Sequence, residues 1–359
     1  MSLAGRSLIR VADFSAAEIQ HVLNVAEKMH RSLGQRQQVL AGKILATAFF
    51  EPSTRTRLSF ESAMQRLGGG VIGFADAATS SAAKGETIAD MARIIESYAD
   101  VIVMRHPVEG SSKVAADYAS KPVINAGDGG HQHPTQTLTD LFTIQRSRGE
   151  LNGLHIGLCG DLRFGRTVHS LLAALGHYEV RVTCIAPPAL QLPDRYKPSG
   201  LEFAVEEAVE RVLPDLDVLY VTRIQRERFP DASEYEAVKG SYIIDAALLA
   251  QSKPELLVMH PLPRVDEIAY NVDPDRRAAY FGQAAYGVPV RMALLALLLG
   301  AEPSDGVAPP ERSEQAVEQA PRCPNPDCAN RLEGYTEPQM LVLDSHHRRC
   351  LYCEMELAI

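Results

Sequence analysis

The sequence predicts an α/β protein with two doubly wound parallel-sheet lobes and a small cysteine-rich domain at the C-terminal end. Strand-like and helix-like segments alternate through residues 1–300, a pattern typical of parallel sheets covered by helices. Four of the six cysteines then lie together between residues 323 and 353. Because a chain of 359 residues has room for two or three domains, the alternating part most simply forms two lobes.

The predicted strands are short apolar runs that end in polar or turn-forming residues. In chain order they are Ile44–Phe50, Val101–Met104, Pro122–Ala126, His155–Cys159, Val180–Ile185, Val218–Val221 and Leu256–Met259. The first helix is predicted to follow the first strand and to end at the three glycines of residues 68–70. Residues 301–321 hold four prolines, many charges and almost no large apolar side chain, so they are predicted to form a linker.

Composition and charge exclude two classes of partner. Hydrophobic residues make up 46% of the chain and charged residues 23%, which is typical of a globular protein. The formal net charge of -9 argues against general binding to nucleic acid or to anionic membranes. The longest apolar run, Met292–Leu299, is too short to cross a bilayer, and the first residues lack the apolar segment of a signal peptide. We therefore expect a cytoplasmic protein with no membrane association.

The segment Ser53–Arg57 places three hydroxyls and two guanidiniums between the first strand and the first helix. A helix start offers unpaired N–H groups and the positive end of the helix dipole, which together bind anions. Hydroxyls add donors, and arginine adds a charged fork that matches phosphate oxygens. The alternative is that Ser53 caps the helix and the arginines are surface charges.

Polar residues also follow several of the other predicted strands, at the place where open parallel sheets bind ligands. The arginines at these strand ends are Arg105, Arg163, Arg166, Arg223 and Arg264, and the histidines are His106, His131, His133 and His260. Each residue alone is more simply a solvated charge or a structural histidine. Their convergence with the first helix start, with few acids beside them, predicts a pocket for a polyanion or for two anions together.

The last four cysteines form two pairs about twenty residues apart: Cys323 with Cys328, and Cys350 with Cys353. This spacing is typical of a structural zinc site, because four thiolates make a closed tetrahedron, and Zn2+ is therefore the expected cofactor. Disulfides are the alternative, which a cytoplasmic chain disfavours, and His346 or His347 could replace a thiolate. From Arg322 onward six acidic residues outnumber four basic ones, which disfavours a nucleic-acid-binding zinc ribbon.

Three segments give the chain its resemblance to a known family: Ser53–Arg57, His133–Gln136 and His260–Arg264. In order and separation they are similar to the catalytic chain of aspartate carbamoyltransferase, and the resemblance covers residues 1–300. It implies the carbamoyltransferase fold and the reaction of carbamoyl phosphate with L-aspartate to give N-carbamoyl-L-aspartate and phosphate, an early step of pyrimidine biosynthesis. It also implies a homotrimer with active sites shared between subunits.

The resemblance also implies how the chain divides into domains. Residues 1–137, completed by a C-terminal helix at about 288–300, form a carbamoyl-phosphate-binding lobe, and residues 138–287 form an aspartate-binding lobe. The linker of residues 301–321 then leads to a zinc-binding domain of residues 322–359.

This last domain resembles the zinc domain of the regulatory chain of the same enzyme, in Cys323–Asn325 and Cys350–Glu354. In that family the zinc domain docks on the catalytic chain, so the resemblance implies a structural Zn2+ and a stabilising role. The nucleotide-binding domain that precedes it in the regulatory chain has no counterpart here, because the linker takes its place.

Ornithine carbamoyltransferase is the main alternative within the superfamily. It is expected to carry a cysteine at the place of Thr135 and another within the later His-Pro-Leu-Pro segment, where this chain has Pro261. The arginine of Thr222–Gln225 suits a carboxylate acceptor rather than an ammonium group. A carbamoyltransferase with another acceptor and a non-catalytic scaffold protein stay open as alternatives, although no matched site position is lost.

The resemblance implies a role for each matched residue. The phosphate of carbamoyl phosphate is bound by Ser53, Thr54, Arg55 and Thr56. Its carbonyl oxygen is bound by Thr56, Arg105 and His133, and its amide by Gln136. A neighbouring subunit contributes Ser80 and Lys84, and the lysine contacts both substrates. The carboxylates of aspartate are bound by Arg166, Thr167, Arg223 and Gln225, and amino hydrogens are accepted by the carbonyls of Leu262 and Pro263.

The expected chemistry follows from charge. The aspartate amine attacks the carbamoyl carbon, and the carbonyl oxygen becomes an oxyanion, for which each fixed donor contributes roughly 3–4 kcal/mol. His133 is therefore expected to donate a hydrogen bond beside Arg55, Thr56 and Arg105. The departing phosphate takes the proton of the amine, so the reaction needs no cofactor.

Overall fold

The computed structural model describes residues 2–35, 37–76, 81–224, 226, 229, 231–304, 306–309 and 316–358. The chain divides into two compact units, Met1–Leu138 with Gly287–Ile359, and Thr139–Tyr286. Each unit contains one parallel sheet, and the first unit also holds a small antiparallel sheet from the C-terminal residues. The predicted α/β fold with two parallel sheets is confirmed.

The first sheet consists of four parallel strands in the order β2-β1-β3-β4. They are β1 (Ile44–Phe49), β2 (Gly70–Phe74), β3 (Val101–His106) and β4 (Val123–Asp128). The inner strands β1 and β3 and the neighbouring β4 are largely buried, as expected for continuous apolar runs in a parallel sheet. The helices of this part are α1 (Ala16–Arg31), α2 (Thr54–Arg66), α3 (Ile88–Glu96) and α4 (Ser111–Tyr118).

The edge strand β2 is missing from the predicted strands, because its two glycines favour a turn. The α2 helix ends at Arg66, just before the three glycines, and the chain then enters β2. Gly73 in this strand has a φ of 152°, and a Cβ atom there would lie 2.2 Å from the carbonyl oxygen of Thr47 on β1. Glycine is therefore required where the backbones of β1 and β2 approach each other.

The second sheet has five parallel strands in the order β7-β6-β5-β8-β9. They are β5 (His155–Cys159), β6 (Arg181–Ile185), β7 (Glu202–Glu206), β8 (Val218–Val221) and β9 (Leu257–Met259). The helices of this unit are α6 (Arg166–Leu175), α7 (Val209–Val212), α8 (Ala232–Val238) and α9 (Ala246–Leu249). All seven predicted strands are found, with ends shifted by up to two residues, whereas β7 was not predicted because it begins and ends with glutamate.

Two helices contain the boundaries between the units: α5 (Pro134–Arg148) and α10 (Tyr280–Leu298). By length and composition α10 could cross a membrane, and it is the one such helix among the described residues. However, 67% of its most apolar 18-residue stretch is buried inside the protein, as in the core helix of a globular protein. The apolar run Met292–Leu299 covers only the last seven residues of this helix and the residue that follows it.

The C-terminal residues form an antiparallel meander of four strands. The strands are β10 (Val317–Gln319), β11 (Gln339–Val342), β12 (His347–Cys350) and β13 (Glu356–Ala358), and a short helix, α11 (Ala329–Leu332), precedes β11. The structure differs from the prediction here, because β10 lies inside the predicted linker of residues 301–321. Its pairing with β11 supplies the order that its local sequence does not indicate.

Candidate active site

The start of α2 carries the residues predicted to bind an anion. Because β1 ends at Phe49 and α2 begins at Thr54, Ser53 occupies the N-cap position. Within the described residues its side chain makes no capping hydrogen bond, which argues against the alternative that Ser53 serves only as a cap. Thr54 and Arg55 are exposed, whereas Thr56 is only 7% exposed. The helix start therefore presents hydroxyl, guanidinium and backbone donors suited to a phosphate group.

Arg105 lies near the end of β3, the strand next to β1, and it pairs in register with Phe49. Its Nε atom is 3.4 Å from a carboxylate oxygen of Glu51, which follows β1. Its Nη1 atom is 3.4 Å from the carbonyl oxygen of Ala126 on β4. Contacts from both neighbouring strands thus hold the guanidinium at the carboxyl edge of the first sheet.

His133 is the last residue before α5, in the connection that follows β4. Its carbonyl oxygen accepts hydrogen bonds from Gln136 N at 3.0 Å and Thr137 N at 3.2 Å. The ring Nδ1 lies 3.5 Å from Thr135 Oγ1, and the side chain is 5% exposed. Gln136 is half-buried in the first turn of the same helix. The helix start therefore orients the imidazole.

The topology of the first sheet brings these residues together. The α2 start, Arg105 and His133 follow β1, β3 and β4, which are adjacent strands, and the carboxyl ends of adjacent parallel strands share one edge. Lys84 is exposed and lies elsewhere in the chain, at the end of a 3-10 turn, Ser81–Lys84. Ser80 lies outside the described residues.

The second sheet presents the residues predicted to bind the acceptor in a similar way. Arg166 and Thr167 begin α6, which follows β5. Arg223 lies just after β8, the strand next to β5. All three residues are half-buried, and strand adjacency places them at one edge of this sheet. The fourth residue of this set, Gln225, lies outside the described residues.

The loop after β9 holds Leu262 and Pro263, whose carbonyls were predicted to accept hydrogen bonds. Leu262 has a φ of 55°, a left-handed conformation that costs a non-glycine residue roughly 1–2 kcal/mol. Leu262 N donates to His260 Nδ1 at 2.7 Å, so the ring proton is on Nε2, which donates to Glu267 at 2.7 Å. Glu267 also accepts from the backbone N of Val265 at 3.1 Å. These contacts fix the loop.

A buried network in the second unit was missed by the sequence reasoning. Asp140 on α5 accepts hydrogen bonds from the Tyr220 hydroxyl at 2.9 Å and from the Gln283 side-chain amide at 2.6 Å. Gln283 accepts in turn from His260 N at 2.9 Å, and Tyr220 is also hydrogen-bonded to Thr167. One carboxylate therefore links the start of α6 to the loop after β9.

The electrostatics of this network are unusual for a core position. Burial, together with the charge of Asp140, raises the pKa of the Tyr220 hydroxyl well above 10, so this group stays a donor. A single acid between Leu138 and the pair Leu141–Phe142 is the sequence signal that could have pointed to the network, because buried acids need partners.

The four C-terminal cysteines form a second candidate site. Their Sγ atoms all lie within 4.8 Å of one another, and all four side chains are buried. The Sγ atoms of Cys323 and Cys353 are 3.6 Å apart, and those of Cys328 and Cys350 are 3.7 Å apart. A disulfide needs about 2 Å, so the thiols are free. A tetrahedron of zinc–sulfur bonds of about 2.3 Å has sulfur atoms about 3.8 Å apart, which this donor set fits.

Two histidines considered as substitute ligands lie outside this cluster. His346 and His347 are exposed, and His347 Nδ1 is 2.9 Å from a carboxylate oxygen of Asp344. In the described part of the chain, the candidate metal cluster thus consists of cysteines alone.

Family models match both parallel-sheet parts of the chain. The model described as aspartate/ornithine carbamoyltransferase, carbamoyl-P binding domain, matches residues 6–146. The model described as aspartate/ornithine carbamoyltransferase, Asp/Orn binding domain, matches residues 152–298. The C-terminal antiparallel sheet lies beyond both matched ranges.

Individual relatives show the same likeness. The chain is 55% identical over 306 residues to the aspartate carbamoyltransferase catalytic subunit of Thermococcus gammatolerans. The matched residues make up 84% of this chain and 99% of that relative. The fold of this chain is similar to the crystal structure of aspartate transcarbamoylase from Trypanosoma cruzi in complex with N-(phosphonacetyl)-L-aspartic acid, with a TM-score of 0.79 and 42% sequence identity. This match covers 83% of the present chain and 97% of the Trypanosoma cruzi chain. The M. jannaschii aspartate transcarbamoylase catalytic subunit matches with a TM-score of 0.77 at 50% identity, covering 82% and 98%.

Proposed function

The chain belongs to the aspartate/ornithine carbamoyltransferase family and transfers the carbamoyl group of carbamoyl phosphate to aspartate, and from this premise we propose how its residues divide the reaction. Residues 1–137 with the helix at about 288–300 bind carbamoyl phosphate, and residues 138–287 bind aspartate. The observation that carries this division is the placement of hydroxyls, guanidiniums and a histidine at the carboxyl edge of the first sheet.

In this proposal the α2 start holds the phosphate. Ser53, Thr54 and Thr56 supply hydroxyl donors, Arg55 supplies the charged fork, and the helix adds backbone N–H groups and its dipole. The absence of a capping bond from Ser53 in the described residues supports this role, because its hydroxyl is not used by the helix itself.

The carbamoyl group is proposed to lie against Thr56, Arg105, His133 and Gln136. When the amine attacks, a C–N bond forms and the bond from carbon to the phosphate oxygen breaks. Negative charge develops on the carbonyl oxygen in between, and donors fixed in advance stabilise it. His133 acts as a donor and the phosphate takes the proton of the amine, so no protein base is needed. Burial of His133 at the helix start supports a fixed donor.

For aspartate, we propose that Arg166, Thr167, Arg223 and Gln225 bind the two carboxylates. The half-buried arginines at adjacent strand ends suit a dicarboxylate, since each guanidinium can pair with one group. The carbonyls of Leu262 and Pro263 accept hydrogen bonds from the amine of aspartate and from the amide of carbamoyl phosphate. The His260–Glu267 pair keeps those carbonyls in place.

We propose a homotrimer in which Ser80 and Lys84 of one subunit complete the site of the next. The exposure of Lys84, and of the apolar side chains Leu58 (51%) and Ile72 (41%) on α2 and β2, supports an interface on this side of the first unit. Sedimentation velocity checks this assembly: a monomeric chain with full activity would contradict it.

We propose that Cys323, Cys328, Cys350 and Cys353 bind a structural Zn2+ in a domain similar to the zinc domain of the regulatory chain. The metal would supply a cross-link between the two cysteine pairs, and a closed tetrahedron leaves no position for substrate. We propose a cytoplasmic location for the chain, because reducing compartments keep cysteine thiolates available for metal binding. Metal analysis of the purified chain tests the assignment, since one zinc per chain is expected.

The acceptor is tested directly by supplying carbamoyl phosphate with either L-aspartate or L-ornithine. Carbamoyl-aspartate alone is the expected product. Product with ornithine alone would show that Arg223 does not bind a carboxylate of the acceptor. Product with neither acceptor would contradict the function.

A further inference from the structure

The C-terminal sheet and the first lobe share a packed interface within the first unit. Glu109 N donates to the carbonyl of Asp327 at 2.9 Å, and Ala329 N donates to the carbonyl of Glu109 at 2.8 Å, so the two segments pair like parallel strands. The Tyr335 hydroxyl accepts from Ala89 N at 3.0 Å. The four cysteines also belong to the same apolar cluster as residues of β3 and α4. The cysteine-rich domain is therefore seated on the lobe of its own chain.

Glu354 of this domain places its carboxylate among charged and polar groups of the lobe. One carboxylate oxygen accepts from Arg10 Nη1 at 2.9 Å. The other accepts from His131 Nε2 at 2.7 Å and from the Gln132 side-chain amide at 2.9 Å. Glu354 directly follows Cys353 and has a φ of 58°. This left-handed backbone conformation is unfavourable for most residues other than glycine and asparagine. These contacts keep a glutamate where the backbone alone favours glycine.

The lobe side of this contact is the turn between β4 and His133. Asp128 accepts from Gln132 N at 3.1 Å and from Gly110 N at 2.8 Å, and its carboxylate lies 2.9 Å from His131 Nδ1. Both ring nitrogens of His131 therefore face carboxylates, and the ring is an imidazolium. Burial opposes this charge, but Asp128 and Glu354 outweigh it and raise the pKa of His131 well above 6.5.

A second contact reaches the same turn from the other cysteine pair. The Asn325 side-chain amide donates to Glu109 at 2.7 Å, and the other carboxylate oxygen of Glu109 accepts from Gly130 N at 3.2 Å. Both arms start beside a cysteine pair, since Asn325 lies between Cys323 and Cys328. Folding of the cysteine cluster thus places Glu354 directly against the turn, and Asn325 against Glu109, which binds the same turn.

We propose that the cysteine-rich domain is a built-in clamp on the carbamoyl-phosphate site, with Glu354 as the positioning residue that holds His131 and Gln132 and through them His133. The proposal rests on the proposed roles of His133 and of the cysteine cluster. His133 is the next residue along the chain after Gln132, so a shift of the turn displaces the imidazole. Because His133 is proposed to bind the carbonyl oxygen of carbamoyl phosphate, its displacement weakens the binding of that substrate.

The test uses Glu354→Gln in the full-length chain, with Glu356→Gln as the matched control. Glu356 lies two residues further on and pairs with Arg349 inside the C-terminal sheet at 2.6 Å. His131→Gln perturbs the contact from the lobe side without touching the cysteine pair. Hydrogen–deuterium exchange of the segment 125–137 is measured with zinc content and with the KM for each substrate.

In both Glu354→Gln and His131→Gln, we expect the backbone amides of this segment to exchange at least threefold faster than in the wild-type chain. The KM for carbamoyl phosphate should rise about tenfold. The KM for aspartate should stay within twofold of the wild-type value, and the zinc should be retained. Exchange rates and KM values like those of Glu356→Gln in both variants would overturn the proposal. The exchange result does not depend on turnover, so it separates this proposal from the proposed function, which the wild-type acceptor assay tests.

Metal removal gives a second, independent outcome. Chelation of the wild-type chain is expected to speed exchange in segment 125–137 as Glu354→Gln does. In the Glu354→Gln chain, chelation should add a smaller increase than in the wild-type chain, because the Glu354 contact is already lost and only the Asn325–Glu109 contact remains to be released. An equal effect of chelation on both chains would overturn the proposal.

Discussion

Replacing Asp140 with alanine is predicted to weaken the binding of aspartate more than the binding of carbamoyl phosphate. Asp140 is 0% exposed and accepts hydrogen bonds from the Tyr220 hydroxyl and the Gln283 amide. Those two groups lead to Thr167 and to the backbone N of His260. Without the carboxylate, two buried donors lose their acceptor and both branches lose their common support.

The size of the effect follows from these contacts. A hydrogen bond to a charged acceptor contributes about 1.5–3 kcal/mol, so losing two of them destabilises the second unit by about 3–6 kcal/mol. Asp140→Asn keeps the volume and one acceptor oxygen, so about half of that loss is expected. Because 1 kcal/mol shifts the melting temperature of a domain of this size by about 2–4 °C, Asp140→Ala should melt at least about 6 °C lower.

The assay combines thermal unfolding with steady-state kinetics. We expect the KM for aspartate to rise at least tenfold in Asp140→Ala and the KM for carbamoyl phosphate to rise less, because only the loop with Leu262 and Pro263 is proposed to contact both substrates. The control is Glu255→Ala, an exposed acid of the same unit. A melting temperature for Asp140→Ala within 2 °C of this control, or equal changes in both KM values, would refute the reasoning.

Three further predictions concern single side chains. His133→Ala should lower kcat by about 100- to 1,000-fold, because it removes a proposed oxyanion donor; an unchanged kcat would exclude that role. Arg223→Ala should raise the KM for aspartate by about 10- to 100-fold with little change in the KM for carbamoyl phosphate, and unaltered aspartate saturation would show that the acceptor was misassigned. Burial lowers the pKa of His106 to about 4, and its Nδ1 accepts from Val108 N at 3.1 Å. Since the unfolded chain then binds more protons between pH 6.5 and pH 4, stability should fall by at most about 3 kcal/mol as pH drops through that range. His106→Gln should remove this slope, and an unchanged slope in urea unfolding would exclude His106 as its source.

Several parts of the fold could be predicted because their signals are local. The runs at β1 and β5 are continuous and apolar, so burial in a parallel sheet follows from composition alone. The edge strands β2, β7 and β10 could not be predicted in this way. Their glycines or charges favour turns, and only hydrogen bonding to a neighbouring strand orders them.

In the candidate site too, some features follow from the local sequence and others depend on how distant segments pack. Ser53–Arg57 lies between a strand and a helix in the sequence itself, and the cysteine spacing indicates one cluster without knowledge of the fold. By contrast, the meeting of Asp140 with Tyr220 and Gln283, and of His131 with Glu354, joins residues that are far apart in the chain.

The sequence by itself therefore determined which chemical groups stand at the strand ends, and with them the family, the substrates and the candidate metal ligands. Only the tertiary structure decided which buried polar groups support those residues, and that the cysteine-rich domain sits against the turn before His133. The physical reason is that periodicity and spacing report the local environment of each residue. A buried hydrogen bond between distant segments depends instead on how whole elements pack.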